Sequence, residues 1–529
     1  MTNTDDPSVS DNSASLSQAT TSGEVLSPAR LTACDARHAL VTGELSAVAL
    51  LESCIGHVEK VNPAVNALIA ENFAAARLAA ADLDKALGKG ARPGRLHGLP
   101  VAIKDIQDIA GIPTTWGNSE LSDAVAEQDS PIVARIRREG GVLIGKTNVP
   151  EKSIGANTVN PLFGATGNPF APELTCGGSS GGAAVALATF MAPLATGSDH
   201  GGSLRIPACY SGVVGMRPTP GVVPNEQRKF PQTNYAVQGP MGRSVRDVAL
   251  LLSVIAQRDA ASKQDPMAFP LDAAALASPP ALNVHELRVG YSADLGGVLV
   301  SAAVREQFAQ RLVEIQPLVK SLNPCSIDLT DAPRIDWHLR QELFAAAYAE
   351  EAPHWDATVN PNVRATYESA IATPMQAIAQ AKKRQLELTR QMADCFEHFD
   401  VLLVPGVSIP PFPWRQLNPA LIDGKPVTNY MAWLELTAAL TVVGHPVVAL
   451  PCGRDRQGTP FGIQVVGPMF EDRALLGASN ALERAFSNRD LLSAPTADLE
   501  WLAAQDAGCA TDGRRVQAQA AMASERGEP

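Results

Sequence analysis

Short apolar runs along the chain alternate with stretches in which apolar residues return every three or four positions. In 47–60, Val48, Leu51, Ile55 and Val58 share one face behind Ser46 as N-cap, which predicts an amphipathic helix ended by Asn62-Pro63. An Ala-rich helix is expected at about 72–88. Leu99–Ile103 then reads as a short buried strand with Lys104 at its end. Pro131–Arg138 reads as helix, Gly140-Gly141 as a break and Val142–Gly145 as a strand. Helices recur at about 300–320, 374–398 and 472–486, and strands at Val401–Val404, Val447–Leu450 and Ile463–Val466. Such alternation predicts an α/β protein whose sheet is covered by helices on both faces. The segment 257–284, rich in Ala, Pro, Asp and Ser, has no period and is expected to be a long surface loop. Residues 1–25 read as a disordered polar extension and 503–529 as a loose, disordered tail, leaving 26–502 as one globular domain.

Composition narrows the class. With 529 residues, 45% of them apolar, the chain can bury a large core. A formal net charge of −12 argues against a general nucleic-acid binder. The N-terminus lacks the basic and apolar regions of a secretory signal. The most apolar run, Ala183–Ala195, is too short to span a bilayer and contains Pro193, so a soluble cytoplasmic protein without a membrane partner is expected. Eight cysteines are scattered with no C-x-x-C, which reads as buried reduced thiols rather than disulfides. No histidine pair has metal-ligand spacing, so no metal is expected.

Two motifs compete for attention. Gly140-GVLI-Gly145-Lys146-Thr147 spells a P-loop, but a charged helical segment precedes it and Pro150 follows, the reverse of the strand-then-helix context that phosphate binding needs. Lys146 is therefore expected to point to solvent or to a carbonyl. The second motif, Thr175-Cys-Gly-Gly-Ser-Ser-Gly-Gly182, contains Gly177-x-Ser179-x-Gly181, the spelling of an α/β-hydrolase elbow. That elbow needs a strand running into it, and Thr175-Cys176 is a poor strand with Pro169 and Pro172 upstream. A second glycine cluster, Gly197-Ser-Asp-His-Gly-Gly-Ser203-Leu-Arg205, follows the small, apolar, helix-like Ala183–Phe190. Ser180 sits where it can cap that helix. Both glycine loops can then face one cavity.

Taken together, GGSSGG at 177–182 and GSDHGGSLRIPA at 197–208 resemble the amidase signature family. Gly98-Leu-Pro-Val-Ala-Ile-Lys104-Asp105, Gly212-Val-Val-Gly215, Arg217-Pro-Thr219, Gln238-Gly-Pro-Met241, Gly444-His-Pro446 and Phe461-Gly-Ile-Gln464 are similar to further family segments, so the resemblance runs from about 30 to 490. It implies a large twisted mixed β-sheet core under helices on both faces. It also implies a Ser–cisSer–Lys triad, with Ser203 as nucleophile, Ser179 after a cis peptide bond as proton bridge, and Lys104 as base. Backbone N–H groups of His200, Gly201, Gly202 and Ser203 are the implied oxyanion donors. Ser180, Asp199 and Arg205 are expected to support these groups without reacting. His200 departs from the family, which more often has Thr, Ile, Gln or Met there. Its ring is open to substrate contact, although its N–H suffices for the role. Cys176 stands where Pro is usual and is expected to be a packed small residue.

The chemistry agrees with the residues. A serine hydroxyl needs a base during attack. Lys104 serves only when neutral, which burial without a carboxylate partner favours. Asp105, the next residue, would point to the opposite face of the strand. Ser179 can relay a proton because a hydroxyl both donates and accepts. The resemblance thus implies hydrolysis of small carboxamides or anilides, with carbamates or esters open, through an acyl-enzyme and without cofactor or metal. A second member of the family, the glutaminase (A) subunit of a tRNA-dependent amidotransferase, remains the alternative. A homodimer is left open. Trp337, Phe344, Tyr348, Trp355, Trp414 and Trp433 are candidates for an aryl-accepting pocket or for ordinary core packing.

Overall fold

The computed structural model describes residues 27–525 except 227, 229, 356–358 and 428, with 521–525 described by backbone alone. The expected extension 1–25 lies outside the described residues. Eleven strands form one sheet: β1 (Leu68–Glu71), β2 (Pro100–Lys104), β3 (Val142–Thr147), β4 (Leu194–Asp199), β5 (Val214–Arg217), β6 (Val237–Gly242), β7 (Arg288–Tyr291), β8 (Ser321–Pro324), β9 (Val401–Pro405), β10 (Val447–Arg454) and β11 (Pro460–Val466). Their order is β1-β3-β2-β4-β6-β5-β10-β11-β9-β7-β8. The pairs β3–β2, β2–β4, β11–β10 and β9–β7 show the mixed character: the first two and the last are parallel, and β10–β11 is antiparallel. Apolar runs buried on both faces belong in such a sheet, and every residue of β2, β3 and β9 is buried.

Lys104 ends β2, which lies between β3 and β4 near the middle of one half of the sheet. The helix Gly181–Ala188 packs on these strands and is buried at every position. Its Gly-Gly start matters at Gly182, where a Cβ would come 2.3 Å from the Asn148 nitrogen and 2.6 Å from the Ala67 oxygen. Small side chains therefore let this helix approach the sheet and bring its N-terminal serines to Lys104.

Three expectations change. The helix expected at 47–60 runs Ala47–Val65, straight through Pro63, and ends at Asn66 in the left-handed conformation (φ 52°). Pro63 falls in the last turns, where one lost hydrogen bond is offset by burial of Val61, Ala64 and Val65. The Asn62 side chain then accepts the N–H groups of Ala67 and Leu68 at 2.8 and 2.9 Å. The tail 503–529 is not loose throughout. Helices Cys509–Asp512 and Val516–Glu525 form within it, and Cys509 and Val516 close a small core with Val159, Ala165 and Trp414. Lys146 points to neither solvent nor mainly a carbonyl. It is fully buried, 3.1 Å from Asp105 and donating to Thr114 Oγ1 at 2.8 Å, with the Pro113 carbonyl at 3.5 Å. Gly140 and Gly141 do separate a helix from β3, so the P-loop spelling has no P-loop geometry. No helix among the described residues is long and apolar enough to cross a membrane.

The sequence pattern did not reveal the helix Ala332–Tyr348. Its buried face includes Asp336, Arg340 and Gln341, which interrupt the apolar stripe.

Candidate active site

Lys104 is buried completely, and its Nζ donates to three hydroxyls: Ser179 at 2.8 Å, Ser198 at 2.8 Å and Ser180 at 3.0 Å. β4 holds two of the contacts to this residue on one face, since Thr196 Oγ1 accepts the Lys104 backbone N–H at 3.1 Å and Ser198 follows two positions later. Burial drives the amine down from 10.5 to about 7, against the attraction of Asp199. Three hydroxyls suit both protonation states. They accept all three protons of an ammonium, and one can turn to donate when the amine is neutral.

The Gly178–Ser179 peptide bond is cis. Ser179 Oγ also lies 2.9 Å from Ser153 Oγ. Ser180 occupies the N-cap position of the helix Gly181–Ala188 but makes no cap bond. Its hydroxyl instead accepts from Lys104 and donates to the Ser198 carbonyl at 3.3 Å. Its backbone N–H reaches the Ser203 carbonyl at 3.3 Å, tying the two glycine loops together. A strand, Ala171–Thr175, does precede the first loop, but it belongs to a separate two-stranded sheet. The hydroxyl of Ser179 faces a lysine rather than a histidine, so the elbow reading fails on its partners.

Asp199 braces the second loop. Its carboxylate accepts the N–H groups of Gly202 at 2.9 Å and Leu204 at 3.1 Å. Arg205 grips it with two nitrogens at 3.0 Å, and Arg217 reaches it at 3.2 Å. Burial alone would raise this carboxyl, but the Arg205 and Arg217 guanidiniums hold it well below the usual carboxylate range. Arg205 continues to the Thr437 carbonyl, Gln464 and Thr441, each at 2.9 Å, and Thr437 Oγ1 donates to the Gly201 carbonyl at 2.7 Å. The turn is thus fixed from the helix Glu435–Val443, more than two hundred positions away.

This geometry corrects one expectation. The Gly202 N–H is committed to Asp199, whereas those of His200, Gly201 and Ser203 have no protein acceptor among the described residues. Gly202 serves the turn by conformation. Its φ is 132°, and a Cβ there would lie 2.4 Å from Thr437 Oγ1.

Ser203 is partly exposed and lines a cavity of about 450 Å³ with Ser179, Ser198 and His200. Ile154, Leu343, Phe344, Tyr348, Met431 and Leu434 give the cavity an apolar wall. His200 also lines it, and its ring packs on Tyr235 with centroids 4.8 Å apart. Burial and then the Arg340 charge push this imidazole well below its usual value, so it is neutral near pH 7. Of the six aromatic candidates, only Phe344 and Tyr348 reach the cavity. Trp414 and Trp433 are buried in cores, and Trp355 packs at an angle against Tyr348 and edge-on against Tyr367. Trp116, Phe230, Tyr235 and Tyr430 line it instead. Cys176 is fully buried, and burial pushes its thiol well up, as a packed residue requires. Among the described residues no group of His, Cys, Asp and Glu is gathered to hold a metal ion.

The amidase family model matches residues 49–476. The chain belongs to the amidase signature family. An acylamidase of Rhodococcus erythropolis is 30% identical over 455 residues, covering 84% of this chain and 93% of the relative. A glutamyl-tRNA(Gln) amidotransferase subunit from Acidothermus cellulolyticus is 31% identical over 491 residues, covering 87% and 95%. A bacterial aryl acylamidase superposes with a TM-score of 0.77 at 26% identity, covering 90% of this chain and 99% of that one. The eleven-stranded mixed sheet under helices is therefore the amidase signature fold, and the protein is an amide-hydrolysing enzyme. Two residues of the site went unnoticed in the sequence, Ser198 and Ser153. Ser198 had a signal, since Thr196 and Ser198 alternate on a strand, but the signal needs the knowledge that β4 lies beside β2. Ser153 had none, for it arrives from the loop after β3.

Proposed function

We propose that this amidase signature enzyme hydrolyses small amides with apolar or aryl groups through an acyl-enzyme on Ser203. The observation that carries the proposal is a buried lysine held at 2.8 Å by Ser179, with Ser179 and Ser203 on the wall of one cavity. In this reading Ser203 attacks the amide carbonyl while its proton passes to Ser179 and the Ser179 proton to neutral Lys104. The N–H groups of His200, Gly201 and Ser203 receive the oxyanion. Lys104 returns the proton through Ser179 to the leaving nitrogen, and water then releases the acyl group. Asp199, Arg205 and Ser180 hold the turn and the lysine in place.

The cavity supports this class over free glutamine. A glutamine substrate brings an ammonium and a carboxylate that both need partners. Glu351 is the carboxylate among the lining residues, and it already pairs with Lys152 at 2.7 Å. The glutaminase reading keeps the support of the 31%-identical relative, so glutamine belongs in the assay. Purified protein is assayed on an anilide, an aliphatic amide, a carbamate and glutamine, and a fluorophosphonate adduct is mapped by peptide mass. Turnover of the anilide with the adduct on Ser203, both lost in Ser203→Ala, is the expected result. An adduct on Ser179, or near-normal turnover by Ser203→Ala, sinks the assignment. A marked preference for glutamine replaces the substrate class.

A further inference from the structure

Two cysteines distant in sequence meet at the edge of the main sheet. Cys325 directly follows β8, the edge strand, and Cys395 ends the helix Met375–Cys395. Their sulfurs are 2.8 Å apart although 70 positions separate them. A disulfide bond measures about 2.05 Å, so an approach of less than about 1 Å separates contact from bond. Cys325 is partly exposed, which admits a small reagent, and Cys395 is buried behind it. The two thiols hydrogen-bond to each other, a contact that lowers the Cys325 thiol from its usual value and raises that of Cys395. By contrast burial raises Cys34, Cys54, Cys209, Cys452 and Cys509 to about 12. A thiolate is the species that oxidants attack, so these five, and Cys176, which burial also raises, react more slowly.

What lies between the two cysteines gives the contact its meaning. The segment holds the helices Ala332–Tyr348 and Pro361–Ala372 and supplies Arg340, Leu343, Phe344, Ala347, Tyr348 and Glu351 to the cavity. Linking the cysteines would close the whole wall segment into a covalent loop.

We propose that Cys325 and Cys395 form a thiol-oxidation site at which a peroxide generates a disulfide that staples the cavity-wall segment. The Cys325 thiolate attacks one peroxide oxygen, the O–O bond breaks, and the departing hydroxide takes up a proton as water. The Cys325 sulfenic acid is then attacked by the Cys395 sulfur. The S–S bond forms, the S–O bond breaks, and the second hydroxide leaves as water with the Cys395 proton. Two sulfurs have lost two electrons and one peroxide has become two waters. A dithiol reductant reverses the change. The site stands apart from the assignment of Ser203.

The full-length protein, reduced and desalted, is treated with equimolar hydrogen peroxide, alkylated and digested without reductant. A cross-linked peptide joining Cys325 to Cys395 is expected, with the other cysteines alkylated. The oxidised protein should show a Tm about 2–4 °C higher, reversed by dithiothreitol. Cys325→Ser should lose both effects and keep the turnover of the reduced protein. Three outcomes overturn the proposal: both thiols still alkylated after peroxide, Cys325 driven to sulfinic acid without the cross-link, or a cross-link that leaves Tm unmoved. The alkylation pattern of the unmodified protein decides the matter even should the variant fold poorly.

Discussion

Lys104 shows how one residue's surroundings fix its chemistry. Its amine has hydroxyls for partners, and the Asp199 charge nearby is already balanced by Arg205 and Arg217. Burial therefore acts almost unopposed and brings the amine to about 7. On the proposed role of Lys104 as base, which works when unprotonated, kcat/KM should rise with pH through a midpoint near 7 and level off above it. Lys104→Ala should lower kcat/KM by about 10²-fold or more and remove that limb from the pH profile. The adjacent Asp105 is kept out of this balance by Lys146, an ion pair with 0% and 1% side-chain exposure. Lys146→Met leaves a buried carboxylate without its counter-charge. A loss of about 3–5 kcal/mol in urea unfolding is expected, with partial recovery in the double variant with Asp105→Asn. An unchanged midpoint for Lys146→Met would show that the pair contributes little.

Elements bring these residues together by close approach. The helix Gly181–Ala188 presents Ser179 and Ser180 to Lys104 only because Gly182 passes over Asn148 and Ala67 without a side chain. Gly182→Ala should destabilise the protein by about 1–3 kcal/mol and lower turnover together, since the helix must move away from β1 and β3. A variant with wild-type Tm and activity would contradict this packing. The buried strands and the cleanly periodic helices were legible, and Pro131–Arg138 matches the structure residue for residue. The helices that shape the cavity were not. In Ala332–Tyr348, Asp336 and Arg340 pair with each other at 3.2 Å, so polar residues occupy the buried face and hide the period. The end of the helix Ala47–Val65 was misplaced for a related reason, because packing of Val65 outweighs the local signal of Pro63.

The whole molecule carries other buried charges with a pH dependence of their own. Burial raises Glu435 and Glu483 from 4.5 to about 7, Glu483 while it accepts the Val245 N–H. Between pH 4.5 and 7 the folded protein holds these protons and the unfolded chain does not, so their contribution to stability should fall as pH rises through that window. Lys104 acts in the opposite sense at higher pH. From about 7 to 10.5 the unfolded chain binds the proton and the folded one does not, so its contribution rises. Buried His445 and His200, both held below 6.5, act in the opposite sense over the acidic range, so the glutamates are read by difference: between about pH 5 and 7 the urea midpoint of the Glu435→Gln, Glu483→Gln double variant should rise relative to that of the unmodified protein. A double variant whose midpoint keeps a constant offset from the unmodified protein across that range would show that these glutamates ionise normally.

By itself the sequence determined the family, the alternation of strand and helix, and the candidates Lys104, Ser179 and Ser203. These rest on local pattern and on glycine spacing, which one stretch of chain carries alone. Only the tertiary structure decided that Ser198 and Ser153 join the hydroxyl cluster, that Gly202 gives its N–H to Asp199, and that Lys146 neutralises Asp105. It also decided which aromatic residues reach the cavity and that Cys325 meets Cys395. Each of these depends on strand order and on contacts between segments far apart in the chain, which local periodicity does not encode.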